Sequence, residues 1–122
     1  MKINHIVTVF DTPDLAAESA FWAGLLDGEV HADDDWHSVV VDGVGRLAFQ
    51  LAPNHVPPKW PDGATQQQLH LDVHIENLQE GHEKAIALGA RVLKPADDPD
   101  APDGFQVYAD PAGHPFCLCW GT

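Results

Sequence analysis

The stretch LHLDVHIENL, residues 69–78, decides how this chain reads, because residues 4–15, NHIVTVFDTPDL, begin the same way. In each, a histidine opens a strand-like run that ends on an acidic residue, His5 to Asp11 and His70 to Glu76, and a helix start follows. Both pairs are offset by 65 (70 − 5 and 76 − 11). In the first copy Thr12 is placed to cap a helix with Pro13 in its first position, and Leu15, Trp22, Leu25 and Leu26 fall at helical spacing before Gly28. In the second, Asn77 caps with Glu80 three residues on, and Leu78, Ala85, Ile86 and Leu88 form the apolar side before Gly89.

Three strand candidates follow each helix: 29–32, 36–41 and 46–52 in the first copy, 90–94, 104–109 and 115–120 in the second. Asp42-Gly43, DDPDAPDG (97–104) and DPAG (110–113) supply the turns. The expected fold is α+β: two tandem βαβββ modules whose curved mixed sheets surround a concave groove, each with one helix on the outer face. Module one covers about 1–53 and module two about 69–122 of a single 122-residue domain. The proline-rich stretch 54–68 links them.

Composition narrows the partners. Six basic against nineteen acidic residues give a net charge of −13, which repels nucleic acid and anionic membrane surfaces. No apolar run is long enough to span a bilayer, and MKINHIVTVF lacks the pattern of a secretory signal, so the expectation is a soluble cytoplasmic protein. The only cysteines, Cys117 and Cys119, lie two apart on one strand. They share a face with parallel Cβ directions, a geometry unsuited to a disulfide, and are expected as free thiols. The GVG at 43–45 belongs to a hairpin, so no phosphate loop and no nucleotide cofactor are expected.

Strand alternation then sorts the side chains. Leu47, Phe49 and Leu51 face the first helix and leave Gln50 on the open side with Ala48 and Ala52, while His5 shares a face with Val7 and Val9. In the second copy Leu69, Leu71, Val73 and Ile75 leave His70, Asp72 and His74 together, and Phe116, Leu118 and Trp120 leave Cys117 and Cys119. Each copy thus offers a polar residue on its first strand, His5 or His70, and one on its last, Gln50 or Cys117, the latter pair offset by 67 (117 − 50). Imidazole, amide oxygen and thiolate are competent donors to a first-row metal. The blander alternative makes the histidines hydrogen-bonded structural residues and Cys117 a small buried hydrophobe. Asp72 and His74 are the candidate proton carriers; Trp36, Trp60 and Cys119 are candidate ligand contacts. His31, His37, His55, His82 and His114 read as solvated.

The duplicated unit, the H-I-V-x-V start, ALGA at 87–90 and DPAGHPFCL at 110–118 resemble the vicinal oxygen chelate superfamily, which includes glyoxalase I, extradiol dioxygenases, methylmalonyl-CoA epimerase, fosfomycin-resistance transferases and bleomycin-binding proteins. The small glyoxalase-like domain proteins are the nearest subgroup. The resemblance implies metal ligands at His5, Gln50, His70 and Cys117. Three match the His, Gln, His, Glu pattern of the epimerases in type, and Cys117 departs. It further implies a divalent metal (Zn, Fe, Mn or Ni), a homodimer, and a metal-dependent isomerase, lyase, epimerase or dioxygenase acting on a small oxygenated carbon compound. Glyoxalase I chemistry with two catalytic carboxylates does not fit Gln50 and Cys117. The alternative is a metal-free protein of the bleomycin-resistance type that sequesters a small molecule or drug, with the net charge suiting a cationic guest.

Overall fold

Two aspartate-type caps start the two helices. Asp14 accepts the Ala17 N–H at 3.0 Å and Asn77 accepts the Glu80 N–H at 2.9 Å, each satisfying a donor that a helix N-terminus leaves open. The computed structural model describes residues 1–60 and 62–121 and divides into two units, Met1–His55 and the segment from Val56 onward. Each unit is strand, helix and three strands.

The first contains β1 (Thr8–Thr12), α1 (Leu15–Leu26), β2 (Glu29–Ala32), β3 (Trp36–Val41) and β4 (Val44–Leu51) in a sheet ordered β1-β4-β3-β2. The second contains β5 (Leu71–His74), α2 (Leu78–Ala87), β6 (Arg91–Lys94), β7 (Gly104–Ala109) and β8 (Pro115–Trp120) in the order β5-β8-β7-β6. In both, the first and last strands pair in parallel and the rest antiparallel, so both sheets are mixed.

The turn chemistry behaves as its residues require. Asp42 and Gly43 both have positive φ (50° and 76°), the conformation of a tight two-residue hairpin. In the second unit Asp110 is buried, and its Oδ1 accepts the Ala112 and His114 N–H groups at 3.1 and 2.9 Å, knotting the DPAG turn that returns the chain into β8.

Helix α1 starts later than its sequence implies. Thr12 is the last residue of β1, buried and paired with Leu51, and its Oγ1 accepts the Asp14 N–H at 3.1 Å; Asp14 rather than Thr12 is therefore the cap. At the other end Asp27 takes the left-handed conformation, φ 54°. Gly28 serves packing instead, since a Cβ there would lie 2.8 Å from the Val40 carbonyl oxygen.

Helix α1 buries Leu15, Phe21 and Trp22 against the sheet, where Phe10 meets Trp22 and Phe49 edge-on at 5.7 and 5.8 Å between ring centres. Glu18 is fully buried and accepts the Trp22 indole N–H at 3.0 Å. Two histidines expected in solvent are structural. His37 on β3 lies 2.8 Å from the buried Ser19 hydroxyl of α1. His82 on α2 holds its Nδ1 2.8 Å from the Tyr108 hydroxyl, which also receives a hydrogen bond from Gln106 at 2.8 Å. With the Gln106 amide donating to it, the buried phenol has His82 as its acceptor, which assigns the His82 proton to Nε2. Burial raises the Tyr108 pKa, partly opposed by the Gln106 hydrogen bond.

Asp110→Ala removes the acceptor of two backbone donors in a buried turn and is expected to cost about 2–3 kcal/mol, read as a lower urea midpoint at unchanged slope.

Candidate metal centre and ligand groove

Strand β5 lies parallel to β8 with Asp72 opposite Cys117 and His74 opposite Cys119. Side chains opposite one another on adjacent strands stand about 5 Å apart and share a face, so the pairing sets two carboxylate or imidazole groups beside two thiols. His70 joins them from the residue just before β5. Its Nε2 lies 3.2 Å from Asp72 Oδ1, and one donor atom each from His70, Asp72 and Cys117 fall within 4.8 Å of one another.

These residues border an open cavity of about 380 Å³. The wall continues across the sheet because β7 pairs with β8, setting Phe105 opposite Cys119 and Gly104 opposite Trp120, and Asp103 closes the rim.

Electrostatics keep the thiols protonated. Burial, the Asp72 charge and a hydrogen bond to Asp72 push the Cys117 pKa up to about 12, and burial followed by the Asp72 charge raises that of Cys119. Both cysteines are free. An imidazole, a carboxylate and a thiol converging on one point fit a divalent ion of borderline softness, with the thiol proton displaced on binding.

The remaining expected residues are placed differently. Among the described residues β1 begins at Thr8, so His5 precedes the strand and is exposed. Its imidazole lies beside Gly45, where a Cβ would stand 3.7 Å from Nε2. Gln50 pairs with Asp11 and Trp36 at the other end of β4, five residues and about 16 Å from Gly45. The structure does not bring His5 and Gln50 together: parallel register, rather than matched residue counts, decides which side chains meet. Carried back from Thr8↔Leu47, that register sets His5 near Val44. Trp36 is half-buried on β3 beside Gln50. Trp60, half-buried in the segment after Val56, is not among the residues lining this cavity.

Three wall residues escape a reading by alternation. Trp120 falls on the core side by parity, but its indole is turned over Gly104, where a Cβ would meet the ring at 2.6 Å, and its N–H donates to the Ala101 carbonyl at 3.0 Å. Phe105 and Asp103 follow a turn-rich segment whose length hides which face β7 presents. The parity of Phe105 with Val107, which pairs with Cys117, is the feature that would have found it.

The sequence profile of the glyoxalase-like domain family matches residues 7–119. The chain belongs to that family. Its fold agrees with the wider vicinal oxygen chelate superfamily: it superposes on the fosfomycin resistance protein FosX of Mesorhizobium loti with a TM-score of 0.72 at 16% identity, covering 100% of this chain and 95% of that one. A glyoxalase-related enzyme from Fulvimarina pelagi gives 0.69 at 20% identity over 97% and 88% of the two chains. A glyoxalase/bleomycin resistance protein/dioxygenase family enzyme from Burkholderia phytofirmans PsJN gives 0.71 at 14% identity over 95% and 97%. Among curated proteins the sequence has no match. No helix among the described residues is long and apolar enough to cross a membrane.

In a Cys119→Ser background, Asp72→Ala removes both the charge and the hydrogen bond that add to burial in holding the Cys117 proton. Iodoacetamide labelling of Cys117 at pH 8 is expected to accelerate, about tenfold for each unit its pKa falls; an unchanged rate would show that burial alone controls the thiol.

Proposed function

We propose that this protein is a metal-dependent enzyme acting on a small oxygenated carbon compound, with the metal held by His70, Asp72 and Cys117. The observation that carries the reading is the convergence of these three unlike donors within 4.8 Å at the wall of an open groove. Three protein ligands leave coordination positions for substrate, the arrangement of a catalytic rather than a structural site. When bound, a divalent ion supplies Lewis acidity towards adjacent substrate oxygens.

The chain's own residues do the rest. Asp72 stands 3.2 Å from His70 Nε2, which keeps the carboxylate and imidazole donors side by side for a shared ion. Cys117, as a ligand, provides no carboxylate base, so proton movement falls to His74, two residues beyond Asp72 on the same strand face. The reading extends to a cytoplasmic homodimer, and the names of the structural neighbours, drug-resistance proteins and glyoxalase-related enzymes, support small-molecule chemistry.

A second reading, a metal-free small-molecule binder, is favoured by one observation: burial, with the Asp72 carboxylate beside it, pushes the Cys117 thiol up to about 12 and keeps it protonated.

Metal analysis separates the two. Protein purified without added metal is expected to carry Zn, Fe, Mn or Ni, and His70→Ala or Asp72→Ala to weaken binding by at least about tenfold. Because the thiol proton must leave, affinity is expected to rise about tenfold per pH unit around neutrality. A metal-free protein whose metal response is unaltered by either substitution would defeat the enzymatic reading.

A further inference from the structure

We infer that the ligand groove of the second unit accepts an organic cation, a quaternary ammonium or similar group, seated against Phe105 and Trp120 with Asp103 as its counter-charge. The inference rests on this groove being the ligand site and does not require the metal.

A smaller cavity of about 150 Å³ adjoins the groove and shares Asp103, Gly104, Phe105 and Trp120 with it. At this shared wall Phe105 remains 45% exposed, a large aromatic surface left open. Its ring already receives a cation: the Lys94 ammonium stands 5.2 Å from the ring centre, inside the roughly 6 Å range of a cation–π contact. Lys94 therefore acts as an internal stand-in, showing what charge this ring accepts.

The surroundings agree. Lys94 faces three carboxylates of the smaller cavity, Asp97, Asp98 and Asp103, a formal balance of −2 (1 − 3). Among the described residues neither lysine nor arginine lines the groove itself, whereas Asp72 and Asp103 do. An anionic guest would enter against both carboxylates. The acidic loop alone would be an ordinary solvated surface; the open ring with an ammonium over it distinguishes the place.

Behind Phe105 the wall is closed by Trp120, which is 7% exposed. Gly104 lets the Trp120 indole lie directly on the backbone, and any Cβ there would displace it. Register sets Phe105 beside Cys119 and Gly104 beside Trp120, two to three residues or about 7–10 Å along β8 from Cys117. A ligand that fills the groove thus carries its cation at that distance from the His70, Asp72 and Cys117 end.

The test uses choline and its neutral isostere 3,3-dimethylbutan-1-ol, titrated into the whole chain in EDTA while the Phe105 ring and Trp120 indole resonances are followed by NMR. Choline is expected to shift both saturably and to bind at least about fivefold tighter than the isostere. Phe105→Leu and Asp103→Asn should weaken choline several-fold, and Lys94→Ala, by removing the internal competitor, should tighten it. Equal response to the two probes, or choline binding unaffected by Phe105→Leu and Asp103→Asn in variants with native spectra, would overturn the inference. A metal titration of the same samples keeps the readings apart. Choline binding without metal binding removes only the metal-dependent reading, and metal binding without choline binding removes only this one.

Discussion

The parallel pairing of β5 with β8 is the constraint on which the site depends. A parallel connection needs a crossover, and α2 followed by the β6–β7 hairpin supplies it, with α2 lying on one face of the sheet that β6 and β7 extend. The other face is left open, and the period-two pleat sends Asp72, His74, Cys117 and Cys119 there together. A slip of one residue in either strand would turn its own pair towards the helix and bring Val73 or Leu118 out, separating the carboxylate and imidazole from the thiols. The first unit obeys the same rule with different consequences. Its parallel pair places Val9 opposite Ala48 and Asp11 opposite Gln50 on the corresponding face, so the duplicated backbone offers a carboxylate and an amide there but neither thiol nor imidazole. The two copies share an architecture and differ in what it presents.

Within the site the neighbours set each other's chemistry. Asp72 is at once the hydrogen-bond partner of His70 and the charge that holds the Cys117 proton. As it stands the triad is a protonated thiol beside a carboxylate and an imidazole. The strongly acidic composition is thus partly local, concentrated around Asp72, Asp103 and the 97–103 turn that border the two cavities.

Most of the architecture was legible in the residues because turns and caps act locally. Asp42-Gly43, DPAG and Asn77 each fix their own backbone, and strands 29–32, 36–41, 104–109 and 115–120 fall where the flanking turns place them. The second unit's open face was legible for the same reason. What failed depends on partners distant in sequence. His5 and Gln50 were linked by counting, but β1 starts three residues beyond His5 and its pairing sets Gln50 against Asp11. His37 and His82 look like surface residues until Ser19 and Tyr108, 18 and 26 positions away, arrive beside them. Alternation gives the face of Asp72 but not its 3.2 Å approach to His70.

The two helices are unequally anchored. Six residues of α1 are buried, including Phe21 and Trp22, whereas α2 buries only Ala85 and approaches its sheet through Gly81, backed by the side chains of Ile75 and Leu118. Local opening should therefore be graded: amides of α2 exchange with solvent through partial unfolding, while those of α1 wait for an opening close to global. The polar clasp of His82, Tyr108 and Gln106 then sets the lifetime of α2 on the sheet, and the thinnest part of the scaffold lies directly behind β8, the strand that carries both thiols.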